Sequence, residues 1–159
     1  PQEALGICDR VAVMKEGNIH QCSKPLEILT SPTTPFIGKF VSQNNLIKVT
    51  KDNSGSYLTP FGSVLVKSNL VRTSPDILMF DENSLELENS NAGDAFIKGR
   101  EFNNTNWILF VEYNNKTFRV SVPLDSELSI GDSCNLSFCA GKYGYLYPGC
   151  ISCILRPRI

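Results

Sequence analysis

Short strand-like runs separated by turn signals fill the chain from Leu46 to its end, and this pattern restricts the fold more than any other feature. The run 117–122 alternates apolar and polar side chains, as a strand with one buried face does. Asn, Ser, Asp and Gly collect in the predicted turns, which lie at residues 53–55, 91–93, 114–115 and 130–132. The predicted strands are 46–50, 63–67, 77–80, 95–102, 107–113, 117–122, 134–139 and 150–155. Short strands at such spacing predict a mainly β protein, a small barrel or sandwich.

The first 42 residues mix helical and hairpin signals instead. Residues 2–8 are typical of the end of a helix, and 11–22 of a β-hairpin that turns at Gly17. The change of pattern after residue 42 predicts two domains, residues 1–42 and residues 43–159.

Two short helices follow the predicted hairpin. The first covers 26–29, with Ser23 as its N-cap, and the second begins at Pro35 after the N-cap Thr34. The second helix places four apolar side chains on one face, namely Phe36, Ile37, Phe40 and Val41.

Composition excludes several classes of protein. Hydrophobic residues make up 42% of the 159 residues, which is enough to build a core and argues against disorder. The net charge is −1 and the basic residues are scattered, so we expect no nucleic-acid partner. No apolar run reaches the roughly 20 residues that span a bilayer, and no signal peptide is visible. Because there is no initiator Met, we expect the natural N-terminus to lie elsewhere.

Six cysteines leave two interpretations. Cys150 and Cys153 form a C-x-x-C, and Cys134 and Cys139 form a second pair, so the thiolates could share a zinc ion. Both pairs lie in strand-like runs, where residues an odd number apart point to opposite faces. Buried free thiols in a reducing cytosol are the preferred interpretation.

Residues 1–42, which we call the opening segment, resemble the end of the nucleotide-binding domain of ABC transporter ATPases. The matching motifs are Gln2-Glu3-Ala4-Leu5, Asp9-Arg10-Val11-Ala12-Val13-Met14, Glu16-Gly17, Pro25-Leu26-Glu27-Ile28 and Pro35-Phe36-Ile37-Gly38-Lys39-Phe40-Val41. The resemblance also implies what this chain lacks: the phosphate-binding loop, the signature motif, the metal-holding Asp, the catalytic Glu and the switch His. We therefore assign no catalytic, cofactor-binding or metal residue, and we expect ATP and Mg²⁺ to bind only in a longer parent protein.

Polar residues of the opening segment receive structural roles. His20 lies in the hairpin and is expected to be a half-exposed strand residue, not the switch. Glu3, Asp9 and Arg10 are expected to serve packing and helix-end electrostatics.

The second region resembles the OB-like C-terminal domain, called TOBE, of importer ATPases. The resemblance rests on Gln43-Asn44-Asn45-Leu46-Ile47 as its start and on Thr59-Pro60-Phe61-Gly62, Gly99-Arg100 and Leu128-Ser129-Ile130-Gly131-Asp132-Ser133-Cys134. Asp81-Glu82-Asn83 stands where relatives have Arg-Pro-Glu, which puts any contact made by that Arg in doubt. The segment Phe40-Val41-Ser42-Gln43-Asn44-Asn45 resembles the linker of ferric-iron importers more than that of sugar or sulfate importers. Sulfate, polyamines and other small solutes stay open as alternatives to iron.

We therefore expect an accessory, regulatory or dimerising region of an importer ATP-binding subunit. The implied partners are its own nucleotide-binding domain, a second ATPase subunit and transmembrane permease subunits. The implied location is cytoplasmic, on the inner face of the plasma membrane. Four large aromatic residues are interpreted as core in preference to interface: Phe96, Trp107, Phe110 and Phe118.

Two further functions are alternatives for this chain. An OB-like barrel could sense a small ligand or an anion, and Asp125, Glu127 and Asp132 could suggest a cation, although loop carboxylates are usually only solvated. An independent enzyme is disfavoured, because the chain has one His and neither a nucleophile elbow nor a metal-ligand cluster.

Overall fold

The computed structural model describes residues 1–66 and 76–158. The helices in this part of the chain are α1 (Gln2–Ile7), α2 (Pro25–Thr30) and α3 (Pro35–Ser42). The strands are β1 (Val11–Lys15), β2 (Asn18–Ser23), β3 (Asn45–Lys48), β4 (Thr50–Lys51), β5 (Tyr57–Thr59), β6 (Gly62–Val66), β7 (Ile77–Phe80), β8 (Leu85–Asn89), β9 (Ala95–Asn103), β10 (Asn106–Tyr113), β11 (Lys116–Pro123), β12 (Ser133–Phe138), β13 (Tyr143–Tyr147) and β14 (Ile151–Pro157). The predicted mainly β fold is confirmed.

Seven strands form a barrel-like sheet in the order β3-β7-β13-β14-β6-β5-β4. Its two edge strands, β3 and β4, are consecutive pieces of one stretch that is interrupted only at Val49. The Val49 N–H donates to the Asp76 carbonyl at 3.0 Å. One stretch of chain therefore pairs with β7 at one end and with β5 at the other, and the sheet nearly closes on itself. This closure agrees with the expected small OB-like domain.

A second sheet has the order β11-β10-β9-β12-β8, and the main core combines side chains from both sheets. Phe61, which is fully buried, occupies a central position in this core. Its ring centroid lies 5.2 Å from that of Tyr113, 5.1 Å from that of Phe118 and 6.0 Å from that of Phe138, all in edge-on geometry. Such edge-to-face contacts favour one arrangement of the rings over others.

The first 42 residues contain a smaller core of their own. It consists of Val13 from β1, Ile28 from α2, and Ile37 and Val41 from α3. Whether residue 42 is a domain boundary stays a prediction.

Helix α3 follows its predicted start but not its predicted face. The Thr34 hydroxyl accepts from the Ile37 N–H at 3.4 Å, which confirms the N-cap. Ile37 and Val41 are buried, whereas Phe40 is 53% exposed and Phe36 is half-buried. Only Ile37 and Val41 of the apolar face of α3 are buried, so the helix leaves the Phe40 side chain exposed.

Several local predictions were wrong. Ser23 lies in β2, and Lys24 holds the N-cap position of α2 without a side-chain hydrogen bond. Strands β5, β8 and β13 were missed. Residue 67, the predicted end of a strand, lies outside the described residues. No helix in the described part of the chain is long and apolar enough to cross a membrane.

Asn45, the first residue of β3, links the two sheets. Its side chain is buried, and its Nδ2 donates to the Arg119 carbonyl at 2.9 Å. The Arg119 N–H donates in return to Asn45 Oδ1 at 2.8 Å. The carboxamide thus pairs with the edge of β11 as a strand peptide would, and it satisfies two backbone groups at once.

Replacing Asn45 with Ala is expected to lower the free energy of unfolding by about 2–4 kcal/mol, because both backbone groups of Arg119 lose their partner. Urea unfolding followed by Trp107 fluorescence measures the change. Asn53→Ala, in an exposed turn, is the control and is expected to stay within about 0.5 kcal/mol of the parent. Equal stability of the two variants would contradict the role given to Asn45.

Candidate functional site

A buried hydrogen bond joins the barrel to the loop between α2 and α3. The Tyr147 hydroxyl in β13 donates to the Pro32 carbonyl at 2.6 Å. Burial, together with the nearby Cys150 thiol, raises the pKa of Tyr147, so the hydroxyl keeps its proton and remains a donor. This bond spans 115 positions in the sequence.

Helix α3 packs directly on β7 beside this bond. A Cβ added at Gly38 would collide with the Sδ atom of Met79, so a larger residue at this position would force the Met79 side chain to move. The C-cap residue of the helix is Gln43, whose φ of 53° is left-handed, and the Gln43 N–H donates to the Lys39 carbonyl at 3.0 Å. The opening segment is therefore held on the barrel by tight packing as well as by hydrogen bonding.

A cleft of about 380 Å³ opens at this junction, lined by residues that include Leu29, Ser42, Met79, Asp81, Tyr143 and Tyr145. Its acidic groups have partners within the protein. Asp81 Oδ1 accepts from the Asn83 N–H at 2.8 Å and from the Ser84 hydroxyl at 3.0 Å. Glu82 forms an ion pair with Arg119 at 3.4 Å. The loop 81–83 thus stabilises itself and the neighbouring β11.

A second surface is apolar and uncovered. A pocket of about 300 Å³ lies among side chains of α1, β1 and α3, lined by Pro1, Ala4, Leu5, Val11, Ala12, Val13, Met14, Phe40 and Val41. We call these residues the apolar face. Met14 is 56% exposed although it lies in a strand, and among the described strands β1 pairs only with β2. Apolar side chains grouped in this way mark a contact surface.

A third surface lies at the turn between β9 and β10. Phe102 is 57% exposed, and its ring centroid is 5.8 Å from that of Trp107. The Arg100 guanidinium stacks 4.4 Å from the Trp107 ring. Trp107 Nε1 donates to the Leu124 carbonyl at 3.3 Å, and the Leu124 side chain is also exposed. We call Arg100, Phe102, Trp107 and Leu124 the hairpin patch.

The four aromatic residues interpreted as core have different environments. Phe118 is buried, which confirms the prediction. Phe96 is 43% exposed, so the prediction was wrong there. Trp107 and Phe110 are half-buried, with Arg119 lying over the Phe110 ring at 5.5 Å.

His20 is a half-exposed residue of β2 in ring contact with Phe36, as expected of a strand residue. Asp132 accepts from the Ser129 N–H at 2.9 Å and so stabilises its own turn. Among residues 1–66 and 76–158, no group of three or more His, Cys, Asp and Glu is placed to hold a metal ion.

The cysteines differ in burial. Cys134 and Cys153 are buried, Cys139 and Cys150 half-buried, and all six are free thiols. The prediction that both pairs lie inside strands was wrong, because β12 ends at Phe138 and β14 begins at Ile151. Burial raises the pKa of Cys134 to about 11 and that of Cys153 to about 12, and the nearby Asp132 adds to the rise at Cys134.

Comparison with known proteins gives partial matches. No protein-family model matches the chain. A spermidine/putrescine import ATP-binding protein of Mycoplasma genitalium is 37% identical over 75 residues, which are 47% of this chain and 12% of that protein. The equivalent protein of Mesoplasma florum is 28% identical over 120 residues, 72% of this chain and 34% of that protein. An osmoprotectant import ATP-binding protein of Salmonella typhimurium is 29% identical over 110 residues, 67% of this chain and 29% of that protein.

These relatives are ATP-binding subunits of importers. The chain is homologous to part of such ABC importer subunits. It spans between about an eighth and a third of the length of the curated relatives it matches.

Sequence reasoning missed the residues that build the junction. Tyr147 precedes Pro148-Gly149, which predicts a turn but gives no information about the hydrogen-bond partner of the Tyr147 hydroxyl. Gln21 is a buried polar residue of β2, and only its hydrogen bonds in the folded structure identify it as part of the junction.

Alkylation with iodoacetamide at pH 8 is expected to modify Cys8 and Cys22, which are exposed, at least about a hundredfold faster than Cys134 and Cys153. Only about one buried thiol in a thousand or fewer is a thiolate at this pH, because their pKa values are raised. Mass spectrometry of the native protein over time gives the rates, and the denatured protein serves as the control. Rapid modification of Cys153 in the native state would contradict its burial.

Proposed function

We propose that this chain is the accessory C-terminal region of an ABC importer ATP-binding subunit and that its barrel is a TOBE-type domain. The observation that carries the proposal is the homology to importer ATP-binding proteins. The comparisons do not favour the alternative of a free-standing ligand-sensing barrel.

The apolar face supports a role for the opening segment as the end of a nucleotide-binding domain. Met14, Phe40 and their neighbours would pack against the preceding part of that domain. That part would supply the phosphate-binding loop and the acidic residues, and ATP and Mg²⁺ would bind there. The chain itself would contribute support for the domain and no catalytic group.

The hairpin patch supports a second contact, with another ATP-binding subunit. Aromatic residues and Arg are the residue types that contribute most to protein interfaces, and here the exposed Arg100 and Phe102 lie against the half-buried Trp107. A contact between β-domains would keep two subunits at high local concentration while their nucleotide sites open. The assembly would sit on permease subunits at the inner face of the plasma membrane.

The solute is proposed from the relatives alone. Their names refer to spermidine/putrescine import and osmoprotectant import, so a small organic solute is the better-supported class. These relatives give no support to ferric iron, which the segment 40–45 suggested. The solute would bind to partner subunits, not to this chain.

A chimera tests the proposal. This chain replaces the corresponding C-terminal region of the Mesoplasma florum protein, which would include the 120 matched residues, and ATP hydrolysis by the purified chimera is measured. We expect hydrolysis within about tenfold of that of the intact Mesoplasma protein, because under this proposal the catalytic residues would lie outside the exchanged region.

Phe40→Asp in the chimera is expected to lower hydrolysis at least about tenfold, since a charge in an apolar contact is strongly unfavourable. Leu58→Asp, an exposed position on the barrel, is the matched control. A folded chimera without hydrolysis, or one indifferent to Phe40→Asp, would refute the proposal.

Dimerisation is tested separately by sedimentation velocity of the 159-residue chain. We expect reversible dimers, and Phe102→Ser is expected to weaken association at least about tenfold, because loss of a large aromatic side chain from an interface centre costs about 2 kcal/mol or more. Phe96→Ser is the control, because Phe96 pairs with Glu112 on the opposite face from the Phe102–Trp107 pair. A monomer at every concentration, or equal effects of the two variants, would exclude this contact.

A further inference from the structure

Four residues, Ser31 to Thr34, connect α2 to α3 and lie between the β1–β2 hairpin and the barrel. We call them the junction loop. Hydrogen bonds fix this loop from both sides, and these bonds are the basis of the inference.

Gln21 holds the loop on the hairpin side. Its side chain is buried, and its Oε1 accepts from the Thr33 N–H at 3.0 Å. Its Nε2 donates to the Ser31 carbonyl at 3.4 Å. The Thr33 hydroxyl donates to the His20 carbonyl at 3.3 Å. The hairpin and the junction loop are therefore joined by both backbone and side-chain groups.

Tyr147 holds the loop on the barrel side, through its bond to the Pro32 carbonyl. Proline has no N–H, so the carbonyl is the only backbone hydrogen-bonding group of residue 32. A buried carbonyl without a partner is costly, and Tyr147 is the partner that the structure provides. One hydroxyl thus connects β13 to a loop that Gln21 already fixes to β2.

The connection between α3 and the barrel also restricts the movement of the opening segment relative to the barrel. Only Gln43 and Asn44 separate α3 from β3. Both N–H groups donate back to the helix, Gln43 to Lys39 and Asn44 to Gly38, at 3.0 and 3.3 Å. Gly38 meanwhile packs on Met79 of β7. The predicted domain boundary at residues 42 and 43 thus lacks the features of a flexible linker.

We propose that the junction loop and Tyr147 couple the barrel rigidly to the opening segment, so that a displacement of one part carries the other with it. Tyr147 is a positioning residue in this device. In the proposed function, movement of the nucleotide-binding domain would reach the β-domain through this loop, and that regulatory meaning rests on the proposed function. The coupling itself is a property of this chain and is tested on it alone.

Hydrogen exchange measured by mass spectrometry tests the coupling in the 159-residue chain. In the parent protein, amides of residues 20–42 are expected to be protected together with those of the barrel strands. In Tyr147→Phe, amides of residues 20–34 are expected to exchange at least about tenfold faster, while the barrel amides keep their rates. Tyr145→Phe is the matched control, because it removes a hydroxyl from the same face of the same strand, and it is expected to change neither region.

Three results would overturn the proposal: free exchange of residues 20–42 in the parent protein, unchanged exchange of residues 20–34 in Tyr147→Phe, or equal acceleration in both regions. The last would mean that the hydroxyl supports the barrel and not the junction. None of these depends on ATP hydrolysis, so failure of the chimera and failure of the coupling are separate outcomes.

Discussion

The stretch from Asn45 to Lys51 pairs with β7 through β3 and with β5 through β4, and enclosure of the main core depends on it. An open sheet leaves a row of unpaired N–H and C=O groups along each edge strand. Here β3 and β4 occupy the two edges and are halves of one stretch, so the two edges of the sheet meet in a single segment of the chain. Asn45 extends this pairing to the second sheet through its carboxamide. Closure of the first sheet and attachment of the second therefore start from one segment.

The position of the opening segment follows from the same constraint. Helix α3 ends two residues before β3, and both intervening N–H groups bond back to the helix. Once β3 is placed in the barrel, the short connection restricts the end of α3 to a small range of positions. The Gly38–Met79 contact and the Tyr147–Pro32 bond then fix its orientation. The same geometry leaves Phe40 on the surface, because Ile37 and Val41 already face the small core.

The sequence predicted the strands in which apolar and polar side chains alternate, because that alternation is visible in the local sequence. Phe118, Val120 and Val122 alternate with polar residues, and all three are buried in β11. Strand β5 has only three residues and acquires its structure by pairing with β6, so its sequence carries little signal. Gly144 argues against a strand on propensity alone. In β13, however, a Cβ at this position would lie 3.0 to 3.2 Å from the Met79 carbonyl and two leucine side chains, so glycine relieves a tight approach between neighbouring strands.

The candidate surfaces were harder to predict, because they depend on register. Phe96 and Phe102 are both in β9 at even spacing, and a regular strand would place them on one face. The ladder with β10 passes from Gly99 to Ile97 and skips Lys98, so the two rings fall on opposite faces. Composition does not reveal such a bulge. The Tyr147–Pro32 bond is equally inaccessible from sequence, because it joins residues 115 positions apart.

The two exposed surfaces differ in a way that matches the two contacts proposed for them. The apolar face is a continuous group of aliphatic and aromatic side chains, with the composition of a domain core cut in half. Leaving it uncovered is costly, so it suits a permanent contact within one folded domain. The hairpin patch combines Trp107 and Phe102 with a charged Arg100 that is already stacked on the indole ring. A surface whose charge is partly satisfied in the free state loses less when it is uncovered, and this suits the reversible contact between subunits that we propose for it.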